Sequence, residues 1–182
     1  MPDTAFVLDV MAELFEYPTA GCQERLAAAR AAIAGTNATA LERVQVFADA
    51  VASRSLPEME ELYIQTFDLN PDACLDIGWH LFGEDYARGE FLVKLRHEMR
   101  RYGIAERDEL PDNLLTILPL AARMPDEESA PFRARFLRPA LEKIRKAVPA
   151  ETNPYANLLA ALAALLADGE PKAEVQEGGN GI

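Results

Sequence analysis

Histidine and cysteine are nearly missing from this chain of 182 residues, which has two of each and a single tryptophan. Cys22 and Cys74 stand far apart with no CxxC pair, so neither a disulfide framework nor a thiolate metal knuckle can be read from them. His80 and His97 belong to no HExxH or ExxH run, which removes the helix-borne metal patterns. Gly78, Gly83 and Gly89 match neither a P-loop nor a dinucleotide fingerprint. β-Branched residues are sparse, which disfavours sheets. Bases are outnumbered, 18 against 30 acids, for a formal charge of −12 and a pI near 4.6. Nucleic-acid binding needs cations that displace counterions, so DNA and RNA are not expected partners. The same charge repels anionic membrane surfaces and favours partners that carry Arg or Lys. The apolar run "YANLLAALAALLA" is too short to cross a bilayer, so no membrane insertion is expected. The start, "MPDTAFVLDVMAELFEYP", lacks a basic n-region. No signal peptide is read there, and with two unpaired thiols a cytoplasmic location is expected.

What is present points to helices. The chain is 49% hydrophobic and rich in alanine, leucine, glutamate and arginine. The expected fold is an all-α, single-domain bundle of about eight helices over residues 1–167, with a disordered, Gly-rich tail over 168–182. The first helix is capped by Asp3 or Thr4, turns Phe6, Val10, Met11 and Leu14 inward, and stops at Pro18. The next two span about Gln23 to Ala34 and Ala38 to Ser53. Pro57 and Glu58 open a fourth. From Asp68 to Gly83 no period holds. A fifth helix covers about Glu84 to Tyr102, and a short one starts near Pro111. Asp126 to Val148 is helical with a kink or break at Pro139. The last begins at Pro154.

Charge is unevenly spread. Glu58 to Glu90 holds nine acids and one base, Arg88, while Arg133 to Lys146 holds six bases and one acid, Glu142. The acidic stretch can steer a basic partner, or it can be a set of solvated helix faces. Within it, Cys74, Asp76 and His80 suggest a metal or nucleophile site at first sight, but no third orienting group is specified. The ordinary readings are an apolar packing role for Cys74 and a structural hydrogen bond for His80. Glu84 and Asp85 are adjacent and so diverge on a helix instead of working as a pair. No catalytic residue, metal site or cofactor is assigned. Trp79, Leu81, Phe82, Tyr86 and Phe91 read as core anchors, the commoner role for any one of them, or as a groove for an apolar peptide.

Three segments in order, "ELYIQTFD" (Glu61–Asp68), "HLFGEDYARG" (His80–Gly89) and "ELPDNL" (Glu109–Leu114), resemble the NarJ/TorD-like redox-enzyme maturation chaperones. "LFEYP" (Leu14–Pro18) is similar to the same family's first helix, and the resemblance runs over about residues 6 to 166. It implies an all-α protein without catalytic activity that binds the apo catalytic subunit of a molybdoenzyme, usually at its N-terminal segment. Such chaperones hold that subunit for molybdenum-cofactor insertion, delay membrane attachment or export, and are absent from the finished enzyme. Cofactor-biosynthesis proteins are further partners the resemblance implies. Where the nitrate-reductase branch reads "LPDHLP", this chain has Asn113 and Leu115. That departure widens the implied clients to other enzymes of the dimethyl-sulfoxide-reductase superfamily.

On this reading the client-facing residues are Tyr63, Phe67, Trp79 and Phe82 as groove, Asp68, Asp72, Asp76, Glu84 and Asp85 as acidic rim, and also His80 and Arg88. Core packing is the competing reading for Tyr63 and Phe67. Gly83, Gly89, Pro111 and Asp112 are expected to structure the loops, with Arg88 pairing with Asp68 or Asp112. The alternative is a helical adaptor for an unrelated basic peptide. A third reading is an enzyme using His80 and nearby carboxylates.

Overall fold

The computed structural model describes residues 4–167. They form an all-α bundle whose elements are α1 (Thr4–Leu14), α2 (Cys22–Ile33), α3 (Ala38–Val51), α4 (Leu56–Tyr63), α5 (Ile77–Phe82), α6 (Tyr86–Arg101), α7 (Leu114–Arg123), α8 (Asp126–Phe132), α9 (Arg138–Ala147) and α10 (Tyr155–Ala167). A π-helical turn, Ile64–Asp68, prolongs α4, and a second, Arg133–Leu137, joins α8 to α9 in one bent rod. The tail expected to be disordered lies outside the described residues.

Local chemistry sets most boundaries. Ser55 and Glu58 close a reciprocal capping box at the start of α4, with Pro57 in the first turn, where its missing N–H costs nothing. Gly35 ends α2 with φ +80°. Pro139 has no N–H to offer to the carbonyl four residues back, and the rod absorbs this with the π-helical turn just before it. α10 is apolar on nearly every side because it is the buried central helix, packed on α3 and α9. α1 packs on α7 and α2, and α5 packs on α6 and α9. One apolar core runs from Val7 to Leu166.

The fold corrects several expectations. Phe6 is 54% exposed, so the inward stripe of α1 is Val7, Val10, Met11 and Leu14. α6 begins at Tyr86, not Glu84, because the Asp85 carboxylate caps it by accepting from Ala87 N–H. α7 begins at Leu114, not near Pro111, because Asn113 caps it by accepting from Leu115 N–H at 3.0 Å. The stretch read as aperiodic contains α5, a ninth helix if the bent rod counts once. Six residues are too few to show a 3.6-residue period. Gly83 ends α5 at φ +59°, a conformation other residues rarely adopt.

Candidate functional site

Two of the segments that carry the resemblance, His80–Gly89 and Glu109–Leu114, meet in space. Leu75 and Asp112 flank an isolated antiparallel bridge between Asp76 and Asn113: Ile77 N–H donates to Asp112 O, and Leu114 N–H donates to Leu75 O, each at 2.8 Å. Around it sits a charged hub. Arg88 Nε donates to Asp112 Oδ2 at 2.9 Å, and its Nη2 donates to Asp76 Oδ2 at 3.3 Å. Asn113 Nδ2 donates to the other Asp76 oxygen at 2.9 Å. Asp112 is fully buried, and its Oδ1 is enclosed without a partner. Burial pushes the Asp112 carboxyl above its ordinary value, against the pull of Arg88. The Arg88 guanidinium also lies 5.9 Å from the Trp79 ring.

Beside the hub opens a cleft of about 540 Å³. Its floor includes Tyr63, Phe67, Leu75 and Leu115, all buried. Tyr63 and Phe67 lie four apart, edge to face with centroids 5.2 Å apart. Tyr63 OH donates to Phe15 O at 2.9 Å, which ties "ELYIQTFD" to "LFEYP". The π-helical turn closes with Leu69 N–H donating to Ile64 O, and leaves Asp68 at the cleft. Asp68, Asp76, Asp108 and Glu109 supply the charge, and no basic side chain lines the cleft. Tyr17 and Leu110, both more than 40% exposed, add apolar surface. Burial raises the Asp68 carboxyl. Such a cleft has one chemical competence: it can seat an apolar group and hold cations above it.

The family described as nitrate reductase delta subunit matches residues 31–161, well over half of the chain. The chain belongs to that family. A search of curated proteins finds no match. Delta-subunit family members are maturation chaperones of molybdoenzymes, not catalytic enzymes, and they bind molybdoenzyme catalytic subunits. Among the described residues no helix is long and apolar enough to cross a membrane.

In this delta-subunit family member the expected groove divides. Tyr63, Phe67, Asp68 and Asp76 line the cleft; Asp72, Trp79, His80, Phe82, Glu84, Asp85 and Arg88 do not. Phe82 instead stacks on Phe91 at 5.3 Å, and Phe91 on Phe136 at 5.0 Å, between α5, α6 and the bent rod. His80 Nε2–H donates to Cys74 O at 2.7 Å, because a carbonyl can only accept, which fixes its neutral tautomer. Burial lowers the His80 imidazole and raises the Cys74 thiol, so the pair is not an activated nucleophile. Lys143 Nζ donates to His80 O at 2.5 Å, so the basic stretch touches the acidic one. Arg88 pairs with Asp112 and Asp76, not with Asp68. Gly83, Pro111 and Asp112 sit at the turns, whereas Gly89 lies in the first turn of α6 with open space around it. The sequence reading missed Tyr17, Asp108, Glu109 and Leu110. "LFEYP" and "ELPDNL" had marked three of these, but only as signs of kinship.

The Tyr63 hydroxyl gives a local test. Tyr63→Phe leaves Phe15 O buried without its donor, so urea unfolding should show a loss of about 1–2 kcal/mol.

Proposed function

We propose that the protein is a cytoplasmic chaperone that captures the N-terminal segment of an apo molybdoenzyme catalytic subunit in the acidic cleft. It holds that subunit for molybdenum-cofactor insertion before membrane attachment or export. The observation that carries this reading is the composition of the cleft: four carboxylates over an aromatic floor, with Tyr17, Tyr63, Phe67, Asp68, Glu109, Leu110 and Asn113 coming from segments that bear the family resemblance. An amphipathic client segment would bury an apolar residue on Tyr63, Phe67 and Leu115 and set Arg or Lys against Asp68, Asp76, Asp108 and Glu109. Micromolar affinity, about −8 kcal/mol, suits a partner that must let go. Cofactor insertion then releases the chaperone by withdrawing the bound segment.

Titration calorimetry with N-terminal peptides of a co-encoded molybdoenzyme tests this. Asp68→Lys and Glu109→Lys should each weaken binding about tenfold at low salt and less at high salt. Glu84→Lys, outside the cleft, should leave it unchanged. Because the Asp68 carboxyl is raised, acidification should weaken capture before the pH reaches the ordinary carboxylate range. Equal effects of Glu84→Lys and Asp68→Lys would remove the cleft from the account. Capture of a basic peptide with no preference for the molybdoenzyme would favour the adaptor reading.

A further inference from the structure

A second concavity, of about 150 Å³, lies where the end of α1 meets the starts of α2, α4 and α10 and the end of α3. The apolar part of its wall is Leu14, Leu26, Phe47, Val51 and Met59, all buried. Tyr155 also lines it and is 1% exposed. The Tyr155 hydroxyl makes no hydrogen bond among the described residues. Buried tyrosine hydroxyls usually find a partner, as Tyr63 does with Phe15 O. Among the described residues the fully enclosed side-chain oxygens and nitrogens without partners are Asp112 Oδ1 and Thr116 Oγ1. The Tyr155 hydroxyl is therefore not sealed in protein, and Tyr155 lines this cavity. Cys22 and Arg25 line the same cavity.

The charge of the lining selects against ions. Arg25 is committed: its Nη1 donates to Glu16 at 3.0 Å and its Nη2 to Thr19 Oγ1 at 3.0 Å. Glu13 and Glu16 offset Arg25 and Arg54, so the lining is neutral as a whole. Glu13 and Arg54 are exposed, so their charges stay in solvent, and an ion on the buried apolar wall would lose hydration there. An apolar cavity of about 150 Å³ engineered into another protein holds benzene.

We propose that this cavity is a binding site for a neutral, single-ring-sized apolar group carrying one oxygen, which accepts a hydrogen bond from the Tyr155 hydroxyl. The site stands apart from the client cleft and does not rest on that reading. The two share a wall, since the Tyr155 ring packs on Phe67 at 4.9 Å and on Tyr63 at 6.0 Å. A tyrosine side chain of a bound peptide and a free phenol offer the same chemistry.

Titration of the full chain with phenol and with benzene, followed by methyl NMR, tests the proposal. Both should shift the Leu26, Val51 and Met59 methyls saturably, with phenol binding about five- to tenfold more tightly, the worth of one buried hydrogen bond. Tyr155→Phe should keep benzene binding, which reports an intact cavity, and bring phenol down to the benzene level. Val51→Phe should abolish both. N-acetyltyrosinamide binding like phenol would identify a peptide side chain as the occupant, and its exclusion a free small molecule. Equal affinity of phenol and benzene for the parent chain, a preference that survives Tyr155→Phe, or no shift with either ligand overturns the proposal. Asp68→Lys should leave phenol binding unchanged, so failure of the cleft and failure of the cavity are separable.

Discussion

Arg88→Ala should cost about 3 kcal/mol in urea unfolding at neutral pH, the low end of what removal of one partner from a buried ion pair costs. The low end applies because Arg88 keeps 19% of its side chain exposed while Asp112 keeps none. Water can replace part of the guanidinium, but it cannot reach the carboxylate as freely. Asp112 is already short of one partner at Oδ1, and losing Arg88 Nε takes the other. The surface pairs give the scale. Arg101 with Glu128 and Arg123 with Asp9 are comparably short at 2.8 and 2.9 Å but partly solvated, and pairs of that kind contribute about 0–1 kcal/mol. Two further measurements separate a lost charge pair from lost packing. Asp112→Asn added to Arg88→Ala should recover a large share of the loss, because a neutral amide needs no counter-charge. The pH dependence should also change. The Asp112 carboxyl is raised in the folded chain, so its contribution to stability is complete below the unfolded value, near 3.8, and is lost as pH rises through the folded value. Without Arg88 the folded value moves higher, so the loss on raising the pH from acid to neutral grows. A flat pH profile in Arg88→Ala would show that the Asp112 carboxyl titrates alike in the folded and unfolded chains, and would overturn the account of a buried pair.

How much of this was legible beforehand follows the range of the interactions. α3, α6 and α10 were readable because their stripes and caps are local: Val44, Phe47 and Val51 recur at helical spacing and are all buried. α5 was not, because six residues carry no period and its ends are fixed from elsewhere, by Asp112 O holding Ile77 N–H and by Gly83. Arg88 and Asp112 are 24 residues apart. Nothing in the chemistry of either residue names the other, and the pairing was suggested by kinship alone. Asp76 had been placed with the acidic rim on charge count; in the structure it serves both the rim and the hub. Glu84 and Asp85, counted with it, do not line the cleft. A run of carboxylates states that a surface is acidic but not which of its members turn toward one concavity, and that is settled by the Asp76–Asn113 bridge and the π-helical turn at Asp68. Tyr63 and Phe67 show the converse. Core and groove were competing readings, and the floor of a cleft is both: buried by the fold on one side, reachable by a ligand on the other.

Gly78→Ala is a substitution that a propensity scale would recommend and the structure forbids. Gly78 lies inside α5, where alanine ordinarily gains about 0.5–1 kcal/mol over glycine. A Cβ there would stand 2.3 Å from Asp112 Oδ2 and 3.2 Å from both Asp112 Cγ and Phe91 Cδ1. None of these neighbours yields easily. Asp112 is a short side chain, fully buried and held by Arg88; Phe91 is pinned between Phe82 and Phe136. Overpacking a well-filled site costs about 1–3 kcal/mol, and displacing the carboxylate also stretches its bond to Arg88 Nε. The two costs exceed the helical gain, so the net effect should be a loss of about 2–3 kcal/mol. The decisive measurement is a double-mutant cycle. In an Asp112→Ala background the 2.3 Å obstruction is gone and only Phe91 Cδ1 at 3.2 Å remains, so adding Gly78→Ala should cost much less, and the coupling between the two positions should account for most of the cost of the single change. Circular dichroism on the single variant should show the helical content retained, since a loss of about 2–3 kcal/mol leaves a domain of ordinary stability folded. Capture of a basic client peptide should weaken all the same, because Asp76 takes its position in the cleft from Arg88 and Asn113, and Arg88 follows Asp112 when that carboxylate is pushed aside.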